Sequence, residues 1–202
     1  MNARSIHSAF PVPRSILIPM STLRHRWPVA ALLILACLSS GCPRVLYLDY
    51  QPSNSLKGNG TVQVAPFLYA GHPTGLMKQK KLESSSRDVE ALYLSQDIGE
   101  YFTNAVRSEL AFSGYQVQPG EARIVSGTIE HFFLDYVGEV EQRFEILATF
   151  NVKRTDAAVF ASDCRSDLRQ SMAWMKSGLL IERGIKDCIE QFMNSAQAAG
   201  AL

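Results

Sequence analysis

The sequence predicts an α+β fold: a two-layer sandwich in which an antiparallel sheet carries two helices on one face, in the order β-α-β-β-β-α. Three observations predict it. Residues Val140 to Lys153 alternate apolar and polar, as a strand does when one face is buried and the other wet. Two further segments, near residues 98–110 and 181–193, each carry one apolar stripe at helical spacing. The β-rich segments after residue 122 follow one another through tight turns. A sheet with one apolar face and two helices with one apolar stripe each can bury one another.

The first strand is "TVQVAPF", Thr61 to about Phe67, β-branched and bounded by Gly60 and Pro66. From Ala70 to Ala91 the chain is polar and mixed, and the run of Lys78, Lys80 and Lys81 followed by "ESSSRD" reads as a mobile, solvated loop, the alternative being a basic cluster that touches acidic lipid. The first helix has Ser95 as its candidate cap, Asp97 in its first turn and Gly114 after its last periodic residue. Its stripe is Ile98, Phe102, Ala105, Val106 and Leu110. "SGYQV" then returns toward a strand or turn near Val117. Ala122 to Tyr136 is β-rich without clean alternation, and Gly127 marks a bulge or a close backbone approach. Phe132 and Phe133 are adjacent, so they point to opposite faces. In the next strand Phe144, Ile146, Ala148, Phe150 and Val152 face one way, with Val140 before them and Gln142 interrupting. "AAVFASDCRSDLR" is the third strand of this meander. The last helix spans about Ser177 to Ala196, with Ile181, Ile185, Cys188, Ile189, Phe192 and Met193 as its stripe. Gly184 sits inside it, where glycine costs about 1 kcal/mol relative to alanine.

Ahead of this domain, Val29 to Leu38 is a short apolar run, too short for a spanning helix of roughly 20 residues. It follows Arg24, His25 and Arg26 and precedes Ser39, Ser40 and Gly41, the layout of a secretory signal. "LSSGC" resembles the lipobox of bacterial lipoproteins, with Ser39 standing where the pattern prefers an apolar residue. That resemblance implies cleavage between Gly41 and Cys42, with diacylglycerol and an N-acyl chain on Cys42. No other cofactor is expected. Cys37, preceded by "LILA", is the second choice for the lipidated residue. The reading divides the chain into an over-extended start at 1–19, a signal at 20–41, a lipidated terminus and tether at 42–60, and one domain at 61–202. The tether reading rests on the Pro, Ser, Asn and Gly content of "QPSNSLKGNG". Just before it, Val45, Tyr47 and Asp49 fall on one side of an extended segment and Leu46, Leu48 and Tyr50 on the other.

Without residues 1–41 the chain holds 16 basic and 19 acidic residues, a net charge of −3. That balance lacks the basic footprint of a nucleic-acid binder. Cys164 and Cys188 remain besides Cys42. They are either two buried thiols acting as small hydrophobes or one bridge pinning helix to sheet, and an oxidising compartment favours the bridge.

Little in the sequence carries chemistry. His72 and His131 are far apart, and no G-x-S-x-G, phosphate-binding glycine loop or H-E-x-x-H is present. Glu139, Glu141 and Glu145 lie on or beside the wet side of a strand, where carboxylates are ordinarily solvated. The reading is that the protein is not an enzyme. A ligand pocket between sheet and helices would be lined by Phe132, Phe133, Tyr136 and Trp174, the competing assignment for these aromatics being core.

Taken together, the lipobox, "VLYLDYQP", "VQVAPF", "DIGEYFTNAVRSELAFSGYQV" and "ARIVSGTIEHFFLDY" resemble small bacterial envelope lipoproteins of the YajG-like type. More distantly they resemble the lipopolysaccharide-assembly lipoprotein and the auxiliary lipoproteins of ABC-type lipid transporters. The resemblance implies a non-catalytic accessory subunit of envelope assembly or transport, held at the membrane and docking on another envelope protein. Pro43 follows the anchor where such lipoproteins carry Asp for inner-membrane retention, which implies the periplasmic face of the outer membrane. The alternative is a module that binds lipid or a cell-wall ligand. Oligomeric state is left open.

Overall fold

The computed structural model describes residues 44–71, 78–85, 92–120, 123–137, 140–154, 157–171 and 177–202. In chain order the elements are β1 (Arg44–Leu46), β2 (Thr61–Val64), β3 (Leu68–Tyr69), a 3-10 turn (Lys78–Lys80), β4 (Leu92–Leu94), α1 (Ile98–Phe112), β5 (Gln116–Val117), β6 (Arg123–Val137), β7 (Glu141–Arg154), β8 (Ala157–Ser171) and α2 (Ser177–Ala198). The predicted helices, the three-strand meander and the α+β class are present, but the predicted order β-α-β-β-β-α is not: the short strands β1, β3 and β4 join β2 ahead of α1, and β5 precedes the meander.

The sheet is mixed, which corrects the antiparallel expectation. Its order is β5-β2-β6-β7-β8, with β3 also against β6. Only β6-β7 and β7-β8 are antiparallel; β2 pairs in parallel with both β5 and β6, and β3 with β6. The reason is the connection. The helix α1 runs from beside Phe67, past the end of β2, back to Gly58 ahead of β2, so β5, which follows the helix, sets off in the same direction as β2. Pro66 ends β2, and Phe67 turns into the core between β2 and β3.

Both helices lie on the face that β7 buries. Gln142, Phe144, Ile146, Ala148, Phe150 and Val152 are all buried, while Val140 at the turn is 66% exposed. Phe150 stacks on Phe192 of α2 with ring centroids 4.1 Å apart, and Phe67 meets both Phe102 of α1 and Phe150 edge-on at 5.1 Å. Every residue of both predicted helical stripes is buried. Gly184 has a packing reason, because a Cβ there would stand 2.5 Å from Cδ1 of buried Phe144. Helix and sheet approach closely at that point.

The N-cap of α1 is Asp97 rather than Ser95. Its carboxylate accepts from the Gly99 and Glu100 amides at 2.9 and 3.2 Å, while the Ser95 amide donates to Leu46 O. Gly114 closes the helix at φ +104°, where a side chain would also meet the Gly58 carbonyl at 2.8 Å. In β6 the register shifts between Ile129 and His131, three residues beyond Gly127. That shift explains the broken alternation: Val125 and Ile129 face the core before it, Phe132 and Leu134 after it. Gly127 itself is a close approach.

Residues 44–60 are not a free tether. Leu46, Leu48, Tyr50 and Leu56 pack on the core, β1 pairs in parallel with β4, and Asn54 is 4% exposed. Part of the expected loop is also built in, since Leu82 is 1% exposed and Glu83 bridges to Phe133 of β6. Leu82 is an apolar residue in a polar run, a signal that the composition of the run outweighed.

Candidate functional site

The most highly built polar feature is the seam joining residues 49–58 to the two helices. Glu109 lies on α1 and is fully buried. Its Oε1 accepts from the Tyr50 hydroxyl at 2.6 Å and from the Ser53 amide at 3.3 Å. Its Oε2 accepts from the Asn54 amide at 3.3 Å and from the Asn54 side-chain amide, which also donates to Glu109 O. Asn54 Oδ1 in turn accepts from the Ser113 hydroxyl at 2.8 Å and from the Leu56 amide at 2.9 Å. A buried carboxylate with this many donors is fully used in holding one strap of chain.

Two contacts to α2 complete the seam. The Asp49 amide donates to Glu182 Oε1 at 3.2 Å, and Lys186 Nζ donates to Ser53 O at 3.1 Å. Burial raises the Tyr50 hydroxyl far above its ordinary pKa, with the neighbouring Glu109 adding to it, so it stays a donor. Burial likewise raises the Glu182 carboxyl, although the Asp49 amide pulls it the other way. Sequence reasoning missed Glu109 and Asn54. In the sequence Glu109 reads as one more charge off the apolar stripe, and only its position against the strap makes it buried.

On the opposite side of α2, Cys188 and Cys164 are joined in a disulfide between helix and β8, Cα atoms 5.2 Å apart and 24 residues apart in sequence. Both cysteines are buried. Reduction is expected to lower stability by about 2–4 kcal/mol, read as a fall in the urea midpoint when reductant is added. An unchanged midpoint would count against a stabilising bridge.

The three expected pocket aromatics among the described residues do not converge. Phe132 is fully buried, edge-on to Phe144 at 5.0 Å and to Tyr69 at 6.5 Å, so it is core. Tyr136 is half-buried against the core, and Phe133 is half-buried beside the Glu83 bridge. Trp174, Gly41, Cys42, His72 and Glu139 lie outside the described residues. Two surface clefts have other linings. One, of about 410 Å³, is formed by Lys57, Gly58, Asn59, Tyr115, Gln197 and Leu202. The second, of about 380 Å³, runs beside Arg107 between Val64–Pro66 and Val117–Pro119.

His131 is an exposed strand residue with Nδ1 3.1 Å from Glu83 Oε2. Glu83 Oε1 accepts from the Tyr69 hydroxyl at 2.8 Å and the Phe132 amide at 3.0 Å, so this group fastens the 81–85 segment to β6. Among the described residues no group of three or more His, Cys, Asp or Glu could hold a metal ion. None of the described helices is long and apolar enough to cross a membrane.

The sheet face away from the helices is wet and charged. Arg143 forks onto Asp167 at 2.8 and 2.7 Å and reaches Glu145 at 2.8 Å, and Arg165 holds Glu145 at 2.7 Å. The hydrogen bond from Arg143 keeps the Asp167 carboxyl below its usual range. At this exposure each pair is worth no more than about 1 kcal/mol. At the free edge, Gln191 of α2 takes both backbone groups of Arg165, accepting from its amide at 3.4 Å and donating to its carbonyl at 3.0 Å. This side chain partly covers an edge strand that would otherwise offer open pairing sites.

No family model matches the chain, and no curated protein matches its sequence. Solved structures do share its architecture. A Xanthomonas campestris protein of the family DUF330 superposes with a TM-score of 0.57 at 10% identity, covering 77% of this chain and 96% of that one. A second structure, of an uncharacterized protein, gives 0.51 at 11% identity over 78% and 99%. Rare lipoprotein B from Shewanella oneidensis is a weaker likeness, with a TM-score of 0.41 at 10% identity over 59% of this chain and 94% of that one. The first two similarities establish a shared fold.

Proposed function

We propose that this protein is a lipid-anchored bacterial envelope protein, acylated at Cys42, that acts as a non-catalytic accessory subunit by presenting its domain to another envelope protein. The observation that carries the reading is the strap. The chain directly after the lipobox cysteine is bolted into the domain through Glu109, Asn54 and Glu182, so the anchor becomes a fixed mounting. A fixed mounting leaves the wet face of β6, β7 and β8 in a constant presentation, which suits docking. The disulfide fits an oxidising compartment outside the cytoplasm. The fold shared with the DUF330 protein is compatible with this reading and speaks to architecture alone. Lack of Asp after Cys42 favours the periplasmic face of the outer membrane.

The test is purification of the tagged protein from detergent-solubilised native envelope, with mass spectrometry of its N-terminal peptide and of whatever co-purifies. Acylated Cys42 and a stoichiometric envelope protein, both lost in Cys42→Ala, are expected. A protein-free sample carrying one defined lipid or glycan would replace the accessory reading with a ligand-binding one.

A further inference from the structure

The register of the strands determines which end of the domain the anchor leaves from. Glu83 runs parallel to β6, its amide donating to Phe132 O and its carbonyl accepting from the Leu134 amide. β6 proceeds from there to the β6-β7 turn at Val137 and Glu141. β4 is antiparallel to Lys81, and β1 is parallel to β4, with Arg44 opposite Leu92. Going backward from Leu46 to Arg44 therefore leads toward that same turn. The first turn of α2 is at this end too. Gln142 donates to the Ser177 hydroxyl at 2.9 Å, and Leu48 lies against Gly178.

This end is also where exposed apolar side chains gather. Of the eight large apolar residues exposed among those described, five belong to it: Val45 at 44%, Tyr47 at 83%, Val137 at 38%, Val140 at 66% and Leu179 at 49%. Leu68, Phe112 and Val159 are scattered elsewhere. Val45 and Tyr47 alternate outward from a segment whose other side is packed on the core, so their exposure is built in by the strap.

We propose that this end is seated on the bilayer that holds the acyl chains of Cys42, with Tyr47 and Val140 entering the interfacial layer. The inference rests on lipidation of Cys42. Two residue steps separate Cys42 from Arg44 and span at most about 7 Å, comparable to the depth of one headgroup layer. A loose tether would let the domain stand off. The strap removes that slack, because residues 44–56 are part of the folded body. Side chains that reach the interface add apolar contact to the lipid anchor, and Tyr suits that depth because its ring is apolar and its tip polar.

The experiment places single tryptophans in the mature lipidated chain, which has lost Trp27 with its signal, in a Trp174→Phe background, as Tyr47→Trp, Val140→Trp and Val159→Trp. Each replaces an exposed side chain, and circular dichroism confirms folding. The proteins are reconstituted in phosphatidylethanolamine/phosphatidylglycerol vesicles with and without chain-brominated lipid. Quenching at positions 47 and 140 is expected to exceed that at 159 by about twofold or more. Intact mass reports acylation in the same samples. Equal quenching at all three positions in acylated protein overturns the seating and leaves the anchor reading standing. Unacylated Cys42 overturns both.

Discussion

Replacing Glu109 by alanine lowers the stability of the domain by roughly 3–5 kcal/mol and frees residues 49–58 from it. The carboxylate is fully buried and accepts from four donors on Tyr50, Ser53 and Asn54. Alanine leaves those donors without a partner in a site that water does not readily reach, and each buried orphan costs about 1–3 kcal/mol. Relaxation of the strap recovers part of that sum. Urea unfolding followed by circular dichroism measures the loss, and hydrogen exchange locates it: the amides of Ser53, Asn54 and Leu56 should lose protection before those of β7. Glu109→Gln separates shape from chemistry. It fills the same space but turns one acceptor into a donor facing donors, so its loss should be intermediate. A stable Glu109→Ala protein with a protected strap would show that the apolar contacts of Leu46, Leu48 and Tyr50 suffice. It would also remove the main support for a rigid mounting.

The second large effect belongs to Gly127, where alanine should cost about 3 kcal/mol or more. A Cβ at this position would stand 2.1 Å from the Thr149 carbonyl oxygen and 2.5 Å from Cε1 of Phe67. The oxygen is part of the backbone of the neighbouring strand, so no side-chain rotation relieves the clash. Phe67 is 3% exposed and wedged between Phe102 and Phe150, so it cannot withdraw either. The chain must part β6 from β7 or expel Phe67 from the core. Gly178→Ala is the matched control. Its Cβ meets only Leu48 Cδ2, at 3.0 Å, and alanine favours the helix, so its effect should stay within about 1 kcal/mol. Equal midpoints for the two variants would refute the close-approach account of Gly127.

How far the sequence could be read depended on whether a residue's environment is local. The stripe Ile181–Ile185–Cys188–Ile189–Phe192–Met193 and the alternation in β7 were legible because each element faces a single boundary between core and water. In β6 the alternation is interrupted by a register shift at Glu130 that no residue type announces. Gly127 was visible as a special position, yet its reason, the Thr149 carbonyl and Phe67, comes from two other segments. Asp97 and Ser95 are both good caps by type, and what separates them is where the helix begins: Asp97 directly precedes Ile98 and reaches the Gly99 and Glu100 amides, while the Ser95 amide pairs with Leu46 O. The stretch 51–60 shows a different limit. Its Pro, Ser, Asn and Gly content marks an irregular backbone, and irregular backbone can be docked as readily as free once a partner such as Glu109 supplies its hydrogen bonds.

By itself the sequence determined the α+β class, the two amphipathic helices and the meander, because hydrophobic period is a property of neighbouring residues. The tertiary structure alone decided the parallel pairing of β2 with β5 and β6, the burial of Glu109 and the end of the domain from which the chain runs back to Cys42. Each of these depends on contacts between residues tens of positions apart, and those are set by how the layers close over one core.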